Sequence, residues 1–358
     1  MSRNAPLKES VFARWPRSAV ICLSALCCWW LAAAESLAST TNNSTPHARV
    51  VIAQEPGATE AFRPDLKKVR SMTDRAITNL TATPTVAEAW RSLVSTQDVV
   101  GLKVFSTPGP NSGTRPAVVE AVVQGLLEAG LPPKHIVIWD RQLTDLRLAG
   151  FGDLAKRHGI RLAGSLQVGY DEKVYYDTAL LGNLVWGDLE FGKKGQGVGR
   201  KSFLTKIVTR DVTKIISITP LLNHNSAGVS GHLYSLTTGS ADNVLRFESD
   251  PDRLATAVPE IYALTNLSDH VVLSITDALI CQYEGGERGL LHYSTTLNQL
   301  RFSTDPVALD VLSVQELERQ RQAASAPIVK PNAELYNNAA LLELGVSNTN
   351  RIDVELLR

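Results

Sequence analysis

Four residues of this 358-residue chain stand out for the chemistry their side chains support: Lys103, Asp140, His224 and Asp277. One imidazole nitrogen and two carboxylates form a donor set that a divalent metal ion accepts while keeping positions open for substrate. Such an ion acts as a Lewis acid or lowers the pKa of a bound water. On that reading Asp140, His224 and Asp277 are metal ligands and Lys103 holds an anionic substrate group. His224 is alternatively a general base. Thr114, Asn225, Glu284, Asp305 and Asp310 are further candidates for contacting substrate.

Each of these residues also has a plainer reading. Lys103 lies near a strand end, where long cationic side chains emerge into water. Asp140 and Asp277 follow apolar runs and suit helix caps, as does Asp305 directly before Pro306. Asp310 faces either the same site or solvent. His224 sits among asparagines rather than on an apolar stripe, which favours a ligand or acid–base role.

These side chains need elements to position them, and the chain alternates strand and helix patterns. Asp98–Phe105 reads as a β-rich run, followed by a loop with two prolines and two glycines. Thr114 with Pro116 then starts a helix whose valine and leucine stripe ends at Gly130. His135–Trp139 is a second strand, Lys214–Thr219 a third and Val271–Thr276 a fourth. Helices are expected near Gly150, over Leu154–His158, Ala227–Thr237 and Arg253–Leu264, and from Asp305 to about Gln322. This alternation implies an α/β fold, a mainly parallel sheet with helices on both faces. The carboxyl ends of parallel strands converge on one edge, where ligands bind. Residues 165–202 are the least periodic part. Their Gly192–Gly199 stretch departs from the phosphate-loop pattern, since Gly199-Arg200-Lys201-Ser202 replaces Gly-Lys-Ser, and reads as a lid or connecting loop.

Composition bounds the function classes. The chain is 44% hydrophobic and 20% charged, with 36 basic and 36 acidic residues, a balance that argues against nucleic-acid binding. Arg3, Lys8, Arg14 and Arg17 precede an apolar run from Ser18 to Ala34, the layout of an export signal over residues 1–38; an uncleaved membrane anchor is the alternative. The expected location is periplasmic or extracellular. Residues 39–48 read as a flexible lead-in and 49–358 as a single domain. Three of the four cysteines fall in the leader. Cys281 alone can form no internal disulfide and cannot hold an iron–sulphur cluster, so a buried structural thiol is expected. The cofactor is left open, with a divalent metal as the candidate.

From about Val99 to Leu317 the sequence resembles the domain-of-unknown-function 362 family. The likeness rests on Gly101-Leu102-Lys103 with Thr114 to Val122, and on Ile136 to Arg141. It continues through His224 with Ala227-Gly228-Val229-Ser230-Gly231, then Asp277-Ala278-Leu279, Tyr283 to Gly286, and Ser303 to Asp310. The resemblance implies no assigned reaction. Some members carry cysteine clusters and many exported members use twin-arginine signals; this chain has neither. The family's lysine two residues before the histidine is Leu222 here, and its Lys-Asn pair after the glycines is Tyr234-Ser235. Losing those cations weakens the expectation of lysine-dependent or anion-binding chemistry. Three functions therefore stand: a metal-dependent enzyme acting on a small anionic substrate, a small-ligand-binding protein without catalysis, and a structural protein with a vestigial site.

Overall fold

A computed structural model describes residues 47–327 and 332–358. The leader and most of the expected lead-in lie outside the described residues. Ala48, expected in that lead-in, already begins a strand. No helix among the described residues is long and apolar enough to cross a membrane.

The strands that build the structure are β1 (Ala48–Gln54), β2 (Val100–Val104), β3 (Ile136–Asp140), β4 (Arg161–Gly164), β5 (Tyr170–Asn183), β6 (Val198–Thr205), β7 (Lys214–His224), β8 (Gly228–Val229), β9 (Val271–Gln282), β10 (Ser294–Ser303) and β11 (Ile352–Leu357). The main sheet runs β11-β1-β10-β9-β7-β2-β3-β4, with short β8 folding back on β7. Along this path every neighbour pair is parallel except those made by β10. The fold is thus α/β with a mainly parallel sheet, as the alternation of elements implies. β5 and β6 form a separate antiparallel hairpin where the sequence loses periodicity.

Side-chain alternation along the central strands divides the core in two. Val100, Leu102 and Val104 of β2 and Ile136 and Ile138 of β3 pack on one face. They meet α1 (Leu66–Thr81), α2 (Val86–Leu93), α3 (Pro116–Glu128) and α4 (Phe151–His158). Gly125 lets α2 and α3 approach closely, because a Cβ there would lie 2.1 Å from the Trp90 indole nitrogen. The other face carries α5 (His232–Ser240), α6 (Pro251–Tyr262), α7 (Pro306–Ala323) and α8 (Ala333–Leu341).

Helix termini follow the sequence with two corrections, at Thr114 and at Ala227, where the expected helix gives way to β8 and α5 starts only at His232. Pro116 and Pro306 each occupy a first turn, where a missing N–H costs nothing. Asp305 caps α7 by accepting from Ala308 N at 2.9 Å. Gly130 follows the end of α3 at φ 92°, with its N–H turned back to Leu127 O. Thr114, however, does not cap α3; Arg115 holds the N-cap position. The Thr114 hydroxyl instead accepts from Phe105 N and donates to Ile218 O, tying the loop to two parallel strands. A substrate role for Thr114 gives way to this internal staple.

Two strands run further than their apolar cores suggest. β7 continues to His224, so the histidine ends a strand rather than sitting in a loop. β9 continues to Gln282 through an irregularity between Ala278 and Ile280, which leaves Asp277 inside the strand. Cys281 is buried within β9, and burial pushes its thiol up to about 12, in keeping with a structural thiol.

Candidate functional site

Helix α5 lies across the centre of the sheet with all nine residues buried. Its cap comes from another helix: Asp310 of α7 accepts from His232 N at 2.7 Å and from Leu233 N at 3.0 Å. Gly231 makes this possible, since a Cβ there would stand 2.1 Å from Asp310 Oδ1. Burial pushes Asp310 up to about 7, opposed by those two backbone donors. Asp310 is therefore an interior cap and contacts neither solvent nor a substrate.

Beneath α5 the sheet is polar. The His232 ring lies 2.8 Å from Ser217 Oγ on one side and 3.1 Å from Thr276 Oγ1 on the other. Burial pushes it down to about 3, so it is neutral and wedged between hydroxyls. Lys103 is fully buried, and its ammonium spends its three donors on Val104 O (2.7 Å), Asp140 Oδ1 (2.9 Å) and Ser235 Oγ (2.9 Å). Its pKa is lowered by burial and held up by Asp140. Lys103 is neither a solvated strand end nor free to hold a substrate anion.

The three expected metal ligands are not gathered. Asp140 Oδ1 also accepts from Arg141 N at 2.8 Å, and Oδ2 accepts from Ser106 N and Oγ at 2.7 and 2.6 Å. Asp277 Oδ2 takes Arg115 N and Nη1 at 3.0 Å each, while Oδ1 takes Leu279 N at 3.3 Å. His224 Nδ1 accepts from Ser226 N at 3.2 Å and Ala227 N at 3.0 Å. That leaves Nε2 carrying the proton in the neutral ring, the wrong tautomer for a ligand or a base at its outer nitrogen. Burial pushes the ring down to about 4, which keeps it neutral. Among the described residues no group of three or more His, Cys, Asp or Glu side chains is placed to hold a metal ion. These residues do not fit the metal.

What the carboxyl edge does form is a two-lobed cleft. One lobe, about 400 Å³, is lined by Thr107, Asp140, Arg141, Gln142, Thr238 and Gly239, with Phe105, Leu166, Val185, Trp186 and Leu245 as its apolar wall. The second, about 420 Å³, carries His224, Asn225, Ser226, Gly286 and Arg288. Tyr234, Glu248 and Glu287 line both lobes and join them. The Tyr234 hydroxyl donates to Glu248 Oε1 at 2.5 Å and lies 3.3 Å from Glu287 Oε1. Its ring lies against that of His224, with centroids 4.1 Å apart. Glu287 belongs to an exposed loop, but partial desolvation of its carboxyl and then the charge of Glu248 raise its pKa, with Arg141 opposing.

Of the sequence candidates, His224, Asn225 and Asp140 reach this cleft. Glu284 turns away to Gly285 N and to Arg321, 3.5 Å off. Asp305 is fixed as a cap and also accepts from Val346 N at 2.8 Å. Glu248, Glu287 and Trp186 were not anticipated. Tyr234 had a signal, as the residue that replaces the family's lysine. Trp186, 80% exposed, sits in the aperiodic segment, on the connection between β5 and β6.

Several backbone donors of the loop after β2 are engaged internally. Thr114 N donates to Phe105 O, Gly113 N to Gly109 O, and Arg115 N to Asp277. These backbone donors at the start of α3 are thus already engaged by the protein's own acceptors.

Comparison with known proteins agrees with the sequence reading at the level of family. A crystal structure of a Thermotoga maritima protein from the Northeast Structural Genomics Consortium is similar at 11% identity, with a TM-score of 0.40. The likeness covers 75% of this chain and 61% of that one, so the chain spans less than two thirds of that structure's length. No curated protein matches the sequence. The profile of the domain of unknown function DUF362 matches residues 100–315, which include strands β2, β3, β7 and β9, helix α5 and both cleft lobes. The chain belongs to the DUF362 family.

Proposed function

We propose that this is an exported protein that binds a small molecule in the cleft at the carboxyl edge of its sheet. One observation carries the reading: Arg141, Glu248 and Glu287, which line the cleft, have no counter-ion at ion-pair distance, whereas Lys103 with Asp140 and Arg115 with Asp277 form ion pairs beneath it. The Arg141 guanidinium makes no hydrogen bond or ion pair among the described residues, and neither Glu248 nor Glu287 has a basic group there within ion-pair distance, Arg141 acting on Glu287 only through its charge. Export is supported by the basic, then apolar, layout of residues 1–38.

The metal-dependent version loses its support, because each intended ligand is committed elsewhere. A catalytic version keeps one favourable observation, the raised pKa of Glu287 beside the cleft, which suits a proton-transferring carboxyl.

The test is a thermal-shift screen of the protein against a broad metabolite library, repeated on Arg141→Ala and Glu248→Gln. Compounds that stabilise the wild type and lose their effect in both variants support the cleft. Stabilisers that act equally on all three proteins overturn it. Incubation of each hit with protein, followed by product analysis, separates binding from turnover.

A further inference from the structure

Three buried arginine and lysine side chains of this molecule are matched by carboxylates, and buried carboxylates without a cation, such as Asp310 and Asp242, are held by backbone N–H donors. Lys103 lies 2.9 Å from Asp140, Arg115 3.0 Å from Asp277 and Arg301 3.3 Å from Glu316. The cleft holds charged side chains of both signs that have neither arrangement. Arg141 contributes an unpaired guanidinium, while Glu248 and Glu287 contribute carboxylates that share only the Tyr234 hydroxyl.

We propose that the cleft takes a zwitterion, a molecule bearing an ammonium group and an acidic group, with an apolar side chain. The inference rests on the cleft being the ligand site and names the class of its occupant. The ammonium would lie between Glu248 and Glu287, beside the phenolic oxygen of Tyr234. There it relieves the repulsion between two carboxylates, the same repulsion that helps raise Glu287. The acidic group would meet the Arg141 guanidinium, whose planar fork suits a carboxylate or phosphate. The apolar part would lie on Phe105, Leu166, Trp186 and Leu245, which form one wall of the same lobe.

Ligands with a single charge fit less well. A simple amine leaves Arg141 unmatched in a partly desolvated cleft, and a simple acid meets two carboxylates of its own sign. Both penalties act on groups that the protein leaves without a counter-ion in contact, so the choice is made by charge pattern rather than by size.

The experiment uses phenylalanine and the phenylalanyl-phenylalanine dipeptide, whose charges lie at two different separations. Each is compared by titration calorimetry with its N-acetyl form, which lacks the cation, and its C-terminal amide, which lacks the anion. At least one free zwitterion should bind tenfold or more tightly than both of its blocked forms. Glu248→Gln or Glu287→Gln should narrow the gap between free and N-acetyl forms, and Arg141→Gln the gap between free and amide forms. Melting temperatures without ligand show that the variants fold. Equal binding of an N-acetyl form overturns the inference in favour of an anion site, and equal binding of an amide in favour of an amine site. Failure of both zwitterions to bind overturns it as well. The library screen then decides separately whether the cleft binds anything.

Discussion

The ammonium of Lys103 and the carboxylate of Asp140 face each other 2.9 Å apart at the ends of adjacent parallel strands, enclosed by the backbone of α5 at Gly239. A Cβ at residue 239 would stand 2.2 Å from Lys103 Cε and 3.4 Å from Asp140 Oδ1. Strand order, an ion pair and a glycine together set the floor of the cleft. Two residues that look like site chemistry in the sequence are thereby spent on holding the site in place.

Gly239→Ala should destabilise the protein by about 1–3 kcal/mol, as overpacking a rigid interior does. Lys103→Met should cost more, about 3–5 kcal/mol, because it leaves Asp140 buried without its cation. Removing both charges as Lys103→Met/Asp140→Asn should recover part of that loss. Urea unfolding midpoints measure all three, and a Lys103→Met protein as stable as wild type would show the ammonium to be solvated.

Asp277→Asn separates a structural carboxylate from a metal ligand. The carboxylate neutralises Arg115 at the start of α3, so the variant should lose about 3–5 kcal/mol through an unpaired buried guanidinium. The loss should be the same with chelator and with added divalent ions. A loss that appears only with metal present would restore Asp277 as a ligand.

His232 should make the protein acid-sensitive. Its unfolded value is 6.5 and burial lowers the folded one to about 3. The unfolded chain therefore binds the extra proton in that window, and stability falls as pH falls below 6.5. The slope is at most about 1.4 kcal/mol per pH unit and ends near the folded value. Asp310, raised to about 7, acts with the opposite sign: its contribution is present at low pH and lost as pH rises from about 4 to 7. Comparing wild type with His232→Gln isolates the histidine. The wild-type advantage should be largest above pH 6.5 and shrink below it, and an advantage independent of pH would contradict a neutral buried ring.

The parallel strands were legible because each is a short, almost wholly apolar run closed by a polar residue, and Ile136–Asp140 shows the pattern plainly. Gly130, Pro116 and Asp305-Pro306 marked their helix ends for local reasons that survive folding. β10 interleaves Leu297, Leu300 and Phe302 with Ser, Thr, Asn, Gln and Arg, so its apolar signal is too sparse to read as a strand until it is placed between β9 and β1. The β5–β6 hairpin was missed for a similar reason. Its pairing is anchored by Arg246, which reaches Ser202, Thr178 and Tyr176 O across more than 40 residues of sequence. At the site, residue type identified groups able to do chemistry but not their partners. Lys103, Asp140 and Asp277 have the same side chains whether paired internally or open to a ligand. His232 went unremarked because a histidine after a glycine carries no sign that two strands will present hydroxyls to it.

The most direct measurement is hydrogen exchange of the protein with and without its strongest stabilising ligand. Protection is expected in residues 105–107, 140–142, 184–187, 245–248 and 285–288, the segments that line the cleft. Protection confined to other surfaces, with these segments unchanged, would contradict a ligand site at the carboxyl edge of the sheet.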